Sequence, residues 1–142
     1  MLQRIAPEQV NEIWGDIAEL VRRTFPPYAD DTEAELNNVL AEILAHRMQC
    51  WVGQFRGYFT GVVLTEIFTD TASGTRSLVI YALSLVRGMS DEEWQSCMDS
   101  VLTFARRNNC TKITSLTRLP EVVKRAKSLG WNTDTTFMFK EV

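Results

Sequence analysis

The chain has 142 residues, of which 45% are hydrophobic, 23% charged and 10% aromatic, and its formal net charge is −3. This length predicts a single domain over residues 1–142, and the hydrophobic content is too high for a disordered protein. No stretch reaches the ~20 apolar residues of a membrane span, and the acids near the N-terminus do not suit a signal peptide. We expect a cytoplasmic protein that is neither secreted nor bound to a membrane.

Cysteine usage predicts neither a disulfide framework nor a metal site. Cys50, Cys97 and Cys110 are odd in number, widely spaced and next to apolar stretches, which is typical of free thiols in a core. A zinc site needs four ligands, and these residues together with the lone His46 lack the paired spacing of zinc ligands. We therefore expect no bound metal.

The net charge is unevenly distributed along the chain. Residues 1–105 carry a charge of −8, whereas residues 106–142 carry +5. A basic segment of this kind suits an anionic partner such as nucleic acid. We favour a solvated helix face instead, because aromatic residues are not interleaved with the cations as they are in single-strand binders. The cations in question are Arg106, Arg107, Lys112, Arg118, Lys124, Arg125 and Lys127.

The first third of the chain predicts one strand and two helices. We expect a strand from Leu2 to Ile5. From Pro7 to Phe25 apolar residues recur every three or four positions, which indicates one face of a helix. Asp31 or Thr32 can then cap a second helix, whose apolar stripe runs from Leu36 to Leu44.

The middle third predicts three strands. Residues Gln49 to Phe55 and Tyr58 to Phe68 form a hairpin, because the Arg56-Gly57 pair between them can make a tight turn. Residues Ser77 to Val86 are almost entirely apolar. A strand of this composition is covered on both faces, so it belongs in the middle of a sheet with helices on either side.

The last third alternates helices with strands. Ser90-Asp91-Glu92-Glu93 is a capping box and begins a helix whose apolar stripe runs from Trp94 to Ala105. We expect a strand from Lys112 to Leu116, a short helix from Pro120 to the closing Gly130, and a final strand from Thr135 to Phe139.

The resulting order, β-α-α-β-β-β-α-β-α-β, resembles the GNAT superfamily of N-acetyltransferases over the whole chain. Two local features add to the resemblance: the strand that runs directly into a helix at Val86 to Glu93, and the helix end AKSLGW at Ala126 to Trp131. The resemblance implies an α/β (α+β) fold in which helices cover both faces of a splayed, mostly antiparallel sheet. In GNAT enzymes the gap between the strands at 77–86 and 112–116 would hold acetyl-CoA.

The resemblance also implies where that cofactor would bind. Its pantetheine would pair with the end of the apolar strand, and its pyrophosphate would contact N–H groups of the following loop and helix start. The family's loop usually reads [Q/R]-x-x-G-x-[G/A], and here Ser90 and Glu92 replace its two small residues. The corresponding residues are Leu85, Val86, Arg87, Gly88, Met89 and Ser90.

Three acids in this loop argue against ordinary acetyl-CoA binding. Ser90 and Glu93 can occupy N–H donors that a pyrophosphate needs, and Asp91, Glu92 and Glu93 place negative charge beside it. Two like charges ~4 Å apart repel by about 1–4 kcal/mol. We therefore expect no cofactor, or acetyl-CoA if the protein is an enzyme.

The catalytic positions of the family are also altered. The tyrosine that many members place near the end of the last helix corresponds to Ala126, and the apolar central strand contains no acid. Glu66 is the best substitute for the general base, since it shares a face with apolar residues that would raise its pKa; Tyr81 is second. The alternatives are that Glu66 pairs with an arginine and that Tyr81 packs in the core with its hydroxyl satisfied.

A narrower resemblance links the chain to degenerate GNAT-like proteins encoded near the virion genes of tailed bacteriophages. It implies an internal or assembly component of the virus particle. The residues that carry it are Trp51 to Gln54, Gly61 to Ile67, Leu83 to Gly88, Phe104 to Cys110, Arg118 and Leu129 to Trp131.

Together these features favour a non-catalytic, phage-type virion-associated or assembly protein, located in the host cytoplasm or the virion. Its partners would be other proteins or a second copy of the chain. The alternative is an atypical acetyl-CoA-dependent N-acetyltransferase that acts on a small-molecule amine. In that case backbone from Leu85 to Ser90 would bind acetyl-CoA, and Glu66 would accept the proton through a water.

Overall fold

The computed structural model describes residues 1–142 and contains five strands and four helices. The strands are β1 Leu2–Ile5, β2 Met48–Phe55, β3 Tyr58–Thr69, β4 Arg76–Leu85 and β5 Lys112–Ser115. The helices are α1 Pro7–Arg22, α2 Glu33–Leu44, α3 Asp91–Arg107 and α4 Pro120–Ser128. No helix is long and apolar enough to cross a bilayer.

Local sequence signals account for the turns and helix starts. Thr32 is the residue that caps α2, since its hydroxyl accepts a hydrogen bond from the Glu35 N–H at 3.1 Å. Between β2 and β3, Arg56 and Gly57 both have positive φ, at 51° and 79°. This conformation matches the right-handed twist of a two-residue hairpin, so the predicted turn is confirmed.

The five strands form one sheet in the order β1-β2-β3-β4-β5. Neighbouring strands are antiparallel except for β4 and β5, which are parallel. Helices α1 and α2 pack on one face, around a cluster that includes Leu64 and Ala82. Helix α3 packs on the other face, around a cluster that includes Leu2, Val63 and Val101. The splayed sheet with helices on both faces was predicted, and it is confirmed.

The predicted final strand, Thr135 to Phe139, is wrong. Residues 132–142 make no backbone–backbone hydrogen bond. The rings of Phe137 and Phe139 lie 6.4 Å apart, and the Phe137 ring packs against that of Tyr28 at 5.8 Å. Periodicity reports which side chains share a face, and it does not supply a neighbouring backbone with which to pair.

Candidate functional site

A cleft opens where β4 and β5 separate. The two strands pair only from Ser77 opposite Lys112 to Ile80 opposite Ser115, and β4 continues to its end without a partner on that side. A bulge lies at the point of separation, because Leu64 pairs with Ala82 while Thr65 pairs with Ile80. The extra residue in β4 is Tyr81. A bulge of this kind bends its strand and increases the twist, which turns β4 away from β5.

Two cavities meet in this cleft. The larger, about 460 Å³, lies between the sheet, α3 and α4, and the smaller, about 70 Å³, lies on the α1 side of the sheet. The larger cavity falls within the usual size range of small-molecule sites. Because the two cavities share wall residues, the cleft reaches both faces of the sheet. The shared residues are Ile80, Leu83, Ser115, Leu116 and Thr117.

The loop that follows β4 presents unpaired backbone donors at one end of the cleft. The predicted capping box is confirmed: the Ser90 hydroxyl accepts from the Glu93 N–H at 3.2 Å, and the Glu93 carboxylate accepts from the Ser90 N–H at 2.7 Å. Five other N–H groups of this loop and the first turn of α3 donate to no acceptor in the chain. They belong to Arg87, Gly88, Met89, Asp91 and Glu92.

These donors form a site suited to an anion. They lie at the N-terminal end of the 17-residue helix α3, where the helix dipole also favours negative charge. Val86 does not contribute, because its N–H already donates to the Thr60 carbonyl at 3.0 Å. Of the predicted cofactor-binding residues, Leu85 and Met89 line the larger cavity.

Two arginines face two of the three acids at the start of α3. The Arg87 guanidinium donates to the Glu93 carboxylate at 2.5 and 3.3 Å, and this contact lowers the pKa of Glu93 to about 2. The Arg125 guanidinium lies 3.4 Å from the Asp91 carboxylate. Of the three negative charges expected beside a pyrophosphate, two are therefore opposed by an arginine, and Glu92 forms no ion pair. The Arg125 contact could not be predicted from spacing, because Arg125 comes from α4. Arg87 lies only six residues before Glu93, but it belongs to a loop, where spacing does not indicate which side chains meet.

Arg125 also joins α4 to the donor loop. Its guanidinium donates to the Met89 carbonyl at 3.0 Å and lies over the Trp94 ring, 5.5 Å from the centroid. The sequence grouped Arg125 with the solvated cations of the basic segment. In the structure it links α4 to the loop after β4, and the only sequence signal for this role was its position on the last predicted helix.

Glu66 and Tyr81 lie on the opposite face of the sheet, towards α1 and α2, and line neither cavity. Burial raises the pKa of Glu66, and the charge of Glu42 raises it further. Burial also raises the pKa of Tyr81 to about 12. Glu66 forms no ion pair, so its predicted alternative role beside an arginine is not observed. Tyr81 packs edge-on against Phe25, with a centroid distance of 5.9 Å.

Tyr28, which was not predicted as a site residue, lies near Glu66 and Tyr81. Burial raises the pKa of Tyr28, and the charge of Glu66 adds to this effect. The Arg118 guanidinium donates to the Pro27 carbonyl at 3.0 Å and so ties the loop after α1 to the loop before α4. The loop between α1 and α2 has no periodic pattern, which is why Tyr28 escaped prediction.

Other candidate groups offer little chemistry. Ala126 lines the larger cavity but presents only a methyl group where many GNAT enzymes have a tyrosine. Cys97 also lines this cavity, and burial raises the pKa of its thiol, whereas Cys50 is buried with a pKa of about 12. Nowhere do three or more His, Cys, Asp or Glu side chains gather as a metal site would require. His46 is exposed, two residues beyond α2.

Comparison with solved structures identifies the fold. Over its full length the chain superposes with a TM-score of 0.68 on 99% of a ribosomal-protein-alanine N-acetyltransferase from Brucella melitensis, at 13% identity. It superposes with a TM-score of 0.71 on 97% of the aminoglycoside N-acetyltransferase AAC(6')-Iy bound to the bisubstrate analogue CoA-S-monomethyl-acetylneamine, at 15% identity. A third match is an aminoglycoside acetyltransferase from an uncultured soil metagenomic sample, with a TM-score of 0.73, 10% identity and 97% of that chain covered.

The chain therefore has the α+β fold of the GNAT-superfamily acetyltransferases. No protein-family model and no curated protein matches the sequence. At these identities the likeness defines the fold and leaves the activity to be argued from the site.

Proposed function

We propose that the protein is an acyl-CoA-dependent N-acyltransferase that acts on an amine. The observation that carries this proposal is the set of five unpaired N–H groups at the start of α3, at one end of an open cleft between β4 and β5. A pyrophosphate needs several free donors at a helix N-terminus, and the five unpaired N–H groups support this assignment. Arg87 and Arg125 offset two of the acids that would otherwise repel it.

In this proposal each part of the site has one task. The unpaired N–H groups hold the pyrophosphate, and the free edge of β4 up to Leu85 pairs with the pantetheine arm. CoA supplies an acyl group as a thioester. The bound ammonium first loses a proton to Glu66 through a water, with Tyr81 as the second candidate to accept it. The neutral amine nitrogen then bonds to the acyl carbon, the carbon–sulfur bond breaks with its electron pair on sulfur, and the second proton passes from the nitrogen to the thiolate.

The acceptor in this proposal is a cationic amine. Glu66, Tyr28 and Tyr81 lie close enough for the carboxylate to raise the pKa of both phenols, and Glu42 adds negative charge. An ammonium group is attracted both to carboxylates and to aromatic faces. By their names, the similar structures are enzymes that acetylate amines of a protein alanine or of an aminoglycoside, which supports this acceptor class.

The phage-type, non-catalytic interpretation now has less support from the residues. It depended on three acids that would repel a pyrophosphate, and two of them face arginines. The altered loop positions Ser90 and Glu92 and the alanine at 126 still distinguish the chain from the family pattern. Mass spectrometry of purified virus particles is the direct test of that interpretation.

Calorimetric titration with CoA and acetyl-CoA tests the proposal. We expect binding by the wild-type chain, and at 100 times the dissociation constant the ligand should stabilise the fold by about 2.7 kcal/mol. Incubation with acetyl-CoA and a panel of polyamines and aminoglycosides should give acetylated amine and free CoA, both detectable by mass spectrometry. Failure of millimolar CoA to bind would overturn the proposal.

A matched pair of variants locates the binding. Gly88→Glu adds a carboxylate among the free N–H groups, whereas Gly15→Glu adds the same charge on exposed α1. An added Cβ meets no atom within 4 Å at either glycine, and neither has a positive φ. Gly88→Glu should weaken CoA binding at least tenfold, and Gly15→Glu should leave it within twofold. Equal effects would contradict the assigned site.

A further inference from the structure

Helix α4 is linked to the loop after β4 by the polar contacts of a single side chain. The Arg125 guanidinium donates to the Met89 carbonyl at 3.0 Å and lies 3.4 Å from the Asp91 carboxylate. No other α4 side chain makes a hydrogen bond or ion pair outside the helix, and no α4 residue is buried. Arg125 therefore provides the polar connection between α4 and the loop that carries the unpaired N–H groups.

Three consecutive carbonyl groups of this loop each accept a hydrogen bond. Arg87 donates to the Gly88 carbonyl at 2.7 Å, Arg125 donates to the Met89 carbonyl, and the Trp94 N–H donates to the Ser90 carbonyl at 3.0 Å. In a trans peptide the carbonyl and the following N–H point in opposite directions. The Met89 N–H therefore points away from the Arg87 guanidinium, and it stays free for a ligand.

The peptide group between Met89 and Ser90 is held on both sides by charged side chains. Its carbonyl accepts from Arg125, and its N–H donates to the Glu93 carboxylate at 2.7 Å. Hydrogen bonds to charged groups are roughly twice as strong as those between neutral groups. The unpaired N–H groups of Met89 and Asp91 lie directly before and after this peptide, so its orientation bears on both of them.

The Arg125 guanidinium is itself fixed in place by α3. It lies over the ring of Trp94, 5.5 Å from the centroid, and Trp94 is buried in the first turns of that helix. A planar guanidinium can stack on an aromatic ring and still donate along its edge, which an ammonium group cannot do. The stacking therefore leaves the edge of the guanidinium free to hold the Met89 carbonyl.

We propose that Arg125 is a positioning residue of the pyrophosphate site, which holds the Met89 carbonyl away from the anion and thereby keeps the neighbouring N–H groups available to it. This inference rests on the proposed acyltransferase function, and it gives Arg125 a role beyond offsetting the charge of Asp91. Without Arg125 the peptide between Met89 and Ser90 can rotate. Rotation would bring a carbonyl oxygen, which repels an anion, among the free N–H groups.

Calorimetric titration with CoA compares Arg125→Gln with Lys124→Gln, which removes an exposed charge from the same helix. Arg125→Gln should raise the dissociation constant by about tenfold, the equivalent of one hydrogen bond to a charged group. Lys124→Gln should leave it within about twofold. If the wild type binds CoA and the two variants behave alike, the positioning role is wrong and the acyltransferase proposal stands. If the wild type does not bind CoA, both are wrong.

A double-mutant cycle and one resonance separate positioning from charge. If Arg125 acts through the Met89 carbonyl, Arg125→Gln should weaken CoA binding by the same factor in the wild-type and Asp91→Asn backgrounds. In the ligand-free protein, the ¹³C resonance of the Met89 carbonyl should move upfield in Arg125→Gln and stay in place in Lys124→Gln. A loss of affinity that disappears in the Asp91→Asn background, or an unmoved Met89 resonance, would overturn the proposal.

Discussion

The face of the sheet under α1 and α2 is filled by a cluster of 12 buried apolar residues, whereas the face under α3 holds a cluster of seven beside an open cavity of about 460 Å³. Both faces are built from the same strands, since alternate residues point to opposite sides. The difference shows that close packing is concentrated on one face of the sheet. One face closes the core, and the other leaves room for a ligand.

The bulge at Tyr81 connects the two faces. It separates β4 from β5, so the cleft passes from the cavity beside α3 to the smaller cavity beside α1. It also places Tyr81 towards α1, near Glu66 and Tyr28. The unpaired N–H groups after β4 and the group of Glu66, Tyr28 and Tyr81, which we propose for the amine, therefore lie on opposite faces. A substitution on one face should change either CoA binding or the acyl-transfer rate, but not both.

Glu66→Gln should have the largest effect on activity. Loss of a general base lowers kcat by about 10²- to 10⁴-fold, while CoA affinity should not change because the donor site lies on the other face. Calorimetry and steady-state kinetics with the best amine separate these effects. Tyr81→Phe is the matched control, and a loss from Tyr81→Phe greater than from Glu66→Gln would exchange the roles of the two residues.

Glu66→Gln should also change how the free energy of unfolding depends on pH. Burial raises the pKa of Glu66 in the folded chain, so the free energy of unfolding decreases as pH rises through that pKa. Glu66→Gln lacks this decrease and should be at least as stable as wild type at pH 7. In the wild type the rate should also rise with pH through the raised pKa, as the base form appears.

A pair of Leu→Ala substitutions compares the packing of the two faces. Leu64 is fully buried under α1 and α2, so Leu64→Ala should reduce the free energy of unfolding by about 2–5 kcal/mol. Leu83 is half-buried and borders the cavity, so Leu83→Ala should cost about 1 kcal/mol. Urea denaturation measures both, and equal losses would show that the two faces are packed alike.

The smallest expected effect concerns the Glu93 carboxylate. Its contact with Arg87 lowers its pKa to about 2, so the stability that it contributes is present above the ordinary pKa of about 4.3 and is lost as pH falls towards 2. Arg87→Gln should raise the pKa of Glu93, which carboxyl NMR titration can follow. An unchanged pKa in this variant would assign the shift to the Ser90 N–H alone.

The sequence predicted most of the fold because the elements have local signals. The cap of α2 at Asp31 or Thr32, the capping box at Ser90, the Arg56-Gly57 turn and the apolar pattern of β4 are all short-range features; the structure chooses Thr32 for the cap and confirms the others. The strand expected from Thr135 to Phe139 was wrong because a strand also needs a partner backbone.

The site was harder to predict because its parts come from distant positions. Arg125 reaches Met89 and Asp91 across more than 30 residues of sequence, so the local charge looked more negative than it is. The cleft depends on where β4 and β5 stop pairing and on the bulge in β4, which no single stretch of sequence contains. The roles of Glu66 and Tyr81 remain predictions.

Amide NMR of the loop after β4 tests the central claim most directly. In a ¹H–¹⁵N titration with CoA, the five unpaired N–H groups should show the largest downfield shifts, whereas the Ser90 and Glu93 N–H groups, already bonded to each other's side chains, should shift less. The five belong to Arg87, Gly88, Met89, Asp91 and Glu92. If millimolar CoA leaves these five resonances unmoved, the loop does not bind the pyrophosphate and the proposed function is wrong.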